Sequence, residues 1–118
     1  MRGLTLLIAT ADLERARAGL TVACAQAALG GRVRVYFHED AVALLLPSDA
    51  ADPRLAAAGI PAWPELVETA LASGVELIVC QTGLALAGIG HDSLVPGTEA
   101  GGLVGLLATL GEDRLLAF

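Results

Sequence analysis

Leu4-Thr5-Leu6-Leu7-Ile8-Ala9, then Asp12 through Leu29, then Gly30-Gly31, then Arg32-Val33-Arg34-Val35-Tyr36-Phe37: this stretch decides the fold. The first run is apolar on both faces and closes at Thr10, which suits a buried parallel strand. From Asp12 the period changes. Leu13, Ala16, Leu20, Ala23 and Ala27 recur at spacings of three and four, the apolar stripe of a helix. Gly30-Gly31 ends it, as glycine does past helix C-termini. The next run reads as a strand in which Val33, Val35 and Phe37 alternate with Arg34 and Tyr36, predicting one partly exposed face. Strand, helix, strand in this order is a right-handed crossover, the unit of a parallel sheet.

The pattern continues downstream. His38-Glu39-Asp40 is a polar stop, and Ala41 to Leu46 reads as a short helix. Residues 47–64 read as one long irregular segment, the kind expected to carry function or motion. It holds the only Trp, Trp63. That ring, stiffened between Ala62 and Pro64, is expected to be buried against a neighbouring subunit or the wall of a pocket around Cys80. Pro64 to Ser73 reads as a helix opened by proline. Val75-Glu76-Leu77-Ile78-Val79-Cys80 is the third strand, followed by a helix from Gln81 to Ala87. His91 to Val95 leads into a short fourth strand, Pro96-Gly97 turns, and Thr98 caps a helix over Glu99 to Leu110. Arg114 to Phe118 is the last strand. The expected architecture is α/β: one domain over residues 1–118, a three-layer sandwich with a parallel sheet of about five strands flanked by helices.

Composition narrows the chemistry. Hydrophobic residues make up 55% and aromatics 3%, so the core is aliphatic, built mostly from Ala and Leu. All 7 basic residues are Arg, against 13 acidic ones. Without Lys there is no Schiff-base amine and no Walker-type phosphate lysine. An acidic chain with scattered Arg lacks the basic face of a nucleic-acid binder. No membrane span is expected: the best uncharged stretches, Ala18 to Gly31 and Leu77 to Gly90, fall short of the roughly 20 apolar residues required. The N-terminus has no secretion-signal pattern, and two Cys make no disulfide framework. The expected location is cytoplasmic, with both thiols reduced.

In an open parallel sheet, ligands bind beyond the carboxyl ends of the strands. Polar groups placed there are Thr10 after the first strand, then His38, Glu39 and Asp40 after the second. Cys80, Gln81 and Thr82 follow the third, and His91 and Asp92 follow the next helix. Cys80 stands out. At a strand end and helix start, unpaired N–H groups and the helix dipole favour a thiolate, the nucleophilic form. A small buried hydrophobe is the competing reading. Cys24, in Ala-Cys-Ala beside the helix stripe, reads as a packed thiol. His38 and His91 are candidates to tune Cys80 as base or ion-pair partner. Thr10, Asp40, Gln81 and Thr82 are candidates to line the site. No close ligand spacing supports a metal, and no cofactor motif is present. The acidic residues at 12, 14, 65, 68, 112 and 113 read as solvated faces and helix starts.

The Leu-Leu-Ile first strand, Ala-rich helix, Val-Tyr-Phe and Ile-Val-Cys strand end resemble the DsrE/DsrF-like family of small sulfur-relay proteins. So do Leu94-Val95-Pro96-Gly97-Thr98-Glu99 and the closing Arg-Leu-Leu-Ala-Phe. The resemblance covers essentially the whole chain. It implies a parallel sheet of about five strands and assembly into trimers, hexamers or heteromers. In active members it implies a Cys matching Cys80 that carries a persulfide from a sulfur donor protein to an acceptor. One departure is that Gln81 to Ala87 contains no Arg or Lys to support an anionic sulfur. The leading expectation is a persulfide carrier at Cys80. The alternatives are a non-enzymatic oligomeric module binding a small ligand at the same edge, and a thiol redox sensor, disfavoured by the lack of an obvious resolving Cys.

Overall fold

A computed structural model of the chain describes residues 1–49 and 51–118. In chain order the elements are β1 Leu4–Ile8, α1 Leu13–Ala28, β2 Val33–Phe37, a 3-10 segment Glu39–Leu45, α2 Pro53–Ala57 and α3 Trp63–Ala72. Then come β3 Glu76–Cys80, α4 Gln81–Ala87, a 3-10 turn His91–Ser93, β4 Glu99–Gly101, α5 Leu103–Ala108 and β5 Arg114–Ala117. The five strands form one all-parallel sheet in the order β4-β3-β2-β1-β5.

Register sorts the side chains into two faces. Leu6 pairs with Val35 and Ile8 with Phe37, and those pair with Leu77 and Val79. Strand side chains alternate, so these six share one face, and all six are fully buried. Helices α1 and α3 pack together over it. Asp12 starts α1 by accepting the N–H groups of Glu14 at 3.0 Å and Arg15 at 3.1 Å. The stripe residues Ala16, Leu20 and Ala23 are buried, whereas Leu13 faces a groove between α1, α2 and α3. Contact is close at Gly19, where a Cβ would stand 2.8 Å from Ile8 Cδ1 and 3.0 Å from the Phe118 ring.

The other face carries Thr5, Leu7, Arg34, Tyr36, Ile78 and Cys80, and it corrects the expectation of an exposed side to β2. Tyr36 is 1% exposed and Arg34 5%. Arg34 is buried because its donors are matched: Nε to Thr5 Oγ1 at 3.2 Å, Nη1 to Thr109 Oγ1 at 2.7 Å and Nη2 to the Leu106 carbonyl at 3.3 Å. Those last two bonds tie α5 to this face. Asp113, read as solvated, closes the network. Its carboxylate accepts from Thr5 at 2.9 Å and Arg32 at 2.7 Å and stands 3.9 Å from Arg34 Nε.

Three boundaries move. The fourth strand is Glu99–Gly101, not Leu94-Val95. Pro96 has no N–H for a ladder, and Val95 N–H is engaged by the Leu45 carbonyl at 3.0 Å. Helix α5 therefore starts at Leu103 after Gly102, and Thr98 caps nothing; its hydroxyl donates to the Val95 carbonyl. Within 47–64, of which residue 50 lies outside the described residues, Asp52 caps the one-turn helix α2. Trp63 is buried in its own domain, edge-on to Phe37 with its indole N–H on the Leu44 carbonyl at 2.7 Å. It lines no part of the cavity at Cys80. Among the described residues no helix is long and apolar enough to cross a membrane.

Candidate functional site

Cys80 ends β3 and is the N-cap of α4. A strand that runs straight into a helix leaves the first helical N–H groups without carbonyl partners. The Cys80 sulfur takes one of them, accepting from the Gly83 N–H at 3.3 Å. The backbone N–H groups of Thr82 and Glu39 also face the sulfur, and so does the Tyr36 hydroxyl. Two features bring Glu39 this close. Its φ of 46° lies in the left-handed region that non-glycine residues rarely occupy. Position 83 has no side chain, and a Cβ there would collide with the Glu39 carbonyl oxygen, carbon and Cα. Gly83 is thus required by the approach of the 3-10 segment to α4.

The electrostatics follow from this cradle. Burial alone pushes the Cys80 thiol up, since an anion loses hydration. The Tyr36 hydroxyl, and after it the N–H groups of Gly83, Glu39 and Thr82, outweigh that and hold the thiol below the ordinary value of 9.0. Tyr36 is pushed in the opposite sense, first by burial and then by the bond and charge of Cys80. It therefore stays a protonated donor. Cys24, by contrast, is raised by burial with nothing to oppose it. Both thiols are free.

Beside the sulfur is a cavity of about 190 Å³ lined by Tyr36, His38, Glu39, Cys80, Gln81, Thr82, Gly102 and Leu103. His38 Nε2 lies 3.1 Å from the Glu39 carboxylate, while its Nδ1 is buried without a hydrogen-bond partner among the described residues. Of the residues expected from sequence, His38, Gln81 and Thr82 therefore gather around Cys80, and three do not. Thr10 is exposed at the end of β1, with β2 between it and β3, and its hydroxyl accepts the Asp12 N–H at 3.3 Å. Asp40 is exposed and turned out of the cavity by the 3-10 segment. His91 is held by Thr98: its Nε2 donates to the Thr98 carbonyl at 2.9 Å and lies 3.1 Å from the hydroxyl. Sequence reading placed Glu39 at this edge without giving it a role, and missed Tyr36, Gly83, Gly102 and Leu103. Gly83, a glycine in the first turn of a helix, was the one visible signal of close backbone approach. Among the described residues no group of three or more His, Cys, Asp or Glu is placed to hold a metal.

Residues 4–118 match the DsrE/DsrF-like family. The chain belongs to that family. Among solved structures it is similar to the ychN protein from E. coli, with 24% identity, a TM-score of 0.82 and complete coverage of both chains. It is also similar to MTH1491 from Methanobacterium thermoautotrophicum, a protein of unknown function, with 16% identity, a TM-score of 0.78 and again complete coverage of both. At these identities the likeness shows a shared DsrE-like fold. Curated protein sequences give no significant match.

Proposed function

We propose that the protein is a sulfur carrier: the Cys80 thiolate accepts a sulfane sulfur as a persulfide and passes it to an acceptor thiol. The observation that carries this reading is the convergence of one hydroxyl and three backbone N–H groups on a single, nearly buried sulfur. Such donors favour the thiolate over the thiol without any cation, answering the lack of Arg and Lys in α4. The chemistry is attack of one sulfur on another. The Cys80 sulfur bonds to the terminal sulfur of a donor persulfide, the donor S–S bond breaks, and its electron pair leaves on the donor thiolate. Transfer onward is the same exchange in reverse sense, with Cys80 as the leaving group.

Exposure to a sulfane donor followed by peptide mass mapping tests this. One added sulfur on the Cys80 peptide, removed by an acceptor thiol, is the expected result. No adduct would leave the cavity as the ligand pocket of a non-enzymatic binding module, and oxygen adducts after peroxide would mark a redox sensor. We further propose a homo-oligomer, trimeric or hexameric, acting in the cytoplasm between donor and acceptor proteins. Support comes from apolar side chains left in the open on α5 and β5: Val104 at 86%, Leu107 at 52%, Leu115 at 45% and Leu116 at 44% exposed. Light scattering at micromolar concentration decides the assembly.

A further inference from the structure

We infer that Glu39 makes the Cys80 cavity choose its sulfur donor by charge, accepting persulfides of uncharged or cationic thiols and disfavouring anionic donors such as thiosulfate. The inference rests on the sulfur-carrier reading and adds the class of donor. Three observations support it. First, Glu39 is the one charged carboxylate among the residues lining the cavity, and no Arg lines it. Second, that carboxylate, on a side chain 56% exposed, has a partner on the cavity wall. His38, also on the cavity wall, holds Oε1 at 3.1 Å, and the backbone beneath is pinned by the approach of Gly83. Third, the Arg on the same sheet face is already engaged. Arg34 lies on the same sheet face two residues before Tyr36, but its donors go to Thr5, Thr109 and Leu106, and Asp113 stands 3.9 Å away. A donor anion entering the cavity meets the Glu39 charge, and the whole chain adds a net charge of −6.

The step balances for either kind of donor. With R–S–SH, the Cys80 thiolate becomes Cys80–S–SH and R–S⁻ departs. With thiosulfate it becomes Cys80–S–S⁻ and sulfite departs. Only the charge that must approach differs. Two unit charges several ångströms apart in largely aqueous surroundings interact by an energy equivalent to about a fivefold change in rate.

The test compares wild type with Glu39→Gln, which keeps an acceptor for His38 and removes the charge. The donors are the persulfides of cysteamine, 2-mercaptoethanol and mercaptoacetate, similar in size and differing in charge. Sulfur loading is read on the Cys80 peptide at pH 8 and low salt. Relative to the mercaptoethanol donor, the substitution is expected to raise loading from the mercaptoacetate donor about fivefold and to lower it from cysteamine. Taking the ratio of the two proteins cancels the donors' intrinsic reactivities. A common factor for all three donors, or no change, overturns the inference. A parallel comparison of iodoacetate with iodoacetamide at Cys80 reads the same selectivity without any sulfur transfer. The iodoacetamide preference is expected to fall about fivefold in Glu39→Gln, and an unchanged preference overturns the charge selection. If none of the three donors loads wild type while the alkylation preference shifts, the sulfur-carrier reading and the donor class fail together, and what survives is an anion-rejecting pocket.

Discussion

Replacing Tyr36 by Phe isolates the part of the cradle that sequence did not show. The ring, its burial and its packing stay; the hydroxyl that faces Cys80 goes. A hydrogen bond to a charged group contributes about 1.5–3 kcal/mol, and part of that is also lost to the neutral thiol, so the thiolate is destabilised by roughly the lower end. That is about a tenfold smaller thiolate fraction at neutral pH. Thiolate nucleophilicity rises with basicity with a slope of about 0.4–0.5, so each remaining thiolate attacks roughly threefold faster. The two effects oppose each other in a pH-dependent way. Against a small uncharged disulfide, the variant's Cys80 reacts about threefold more slowly than wild type at neutral pH. It reacts about threefold faster on the alkaline plateau, so the two profiles cross. Peptide mapping separates Cys80 from Cys24, whose profile serves as the internal reference and stays put. In wild type Cys80 titrates below Cys24, as burial alone raises the latter. A variant profile that superimposes on wild type would refute the role of the hydroxyl. So would a profile scaled up equally at every pH, which is the mark of mere loosening.

Gly83→Ala drives a methyl into the Glu39 backbone; an overpacking cost of about 1–3 kcal/mol is expected in urea unfolding, together with slower labelling of Cys80 as the N–H donors are pushed apart. Asp113→Ala leaves Arg34 buried without its counter-charge and is expected to cost about 3 kcal/mol by the same measurement, with little change at Cys80, which lies beyond Tyr36 on the sheet. Stability should also carry the signature of the depressed thiol. Folding favours the Cys80 thiolate, so wild type gains on Cys80→Ser as pH rises from the folded-state pKa toward 9.0, holds that gain above it, and loses it as pH falls. Thermal melts of both proteins across this window check the slope; parallel curves would remove the thiolate from the folded state.

The frame of the fold was legible because it rests on periodicity over long segments. An unbroken apolar β1, a three-and-four stripe on α1 and Gly30-Gly31 admit few arrangements other than a parallel crossover. The end of the chain was less legible. β4 has three residues, Glu99 to Gly101, too few to show a period, and its membership in the sheet comes from pairing with Ile78 to Cys80. The apolar pair Leu94-Val95 imitated a strand, yet it packs on the 3-10 segment through the Leu45 carbonyl. Arg34 and Asp113 looked like surface charges because each is buried by partners on other elements.

The site divides along the same line. Cys80 could be found from its position in one strand and one helix, which is local information. Tyr36 reaches it through register: β2 and β3 are paired so that Tyr36 sits beside Ile78, and Cys80 lies two residues further, about 7 Å along the same face. A shift of one residue in that pairing would turn the hydroxyl to the opposite face and leave the sulfur buried with a weaker set of donors. Glu39 is harder still. Its N–H faces the sulfur with the backbone at φ 46°, and nothing in His-Glu-Asp announces a left-handed residue. The strain is held by the packing of the 3-10 segment on α4, which only a glycine at 83 permits. Two stretches of chain, residues 36–39 and 80–83, therefore set the acidity of one thiol. The cradle is a property of the folded sheet edge: opening the Glu39–Gly83 contact withdraws the Glu39 N–H from the sulfur and leaves the Tyr36 hydroxyl and the N–H groups of Gly83 and Thr82 in place.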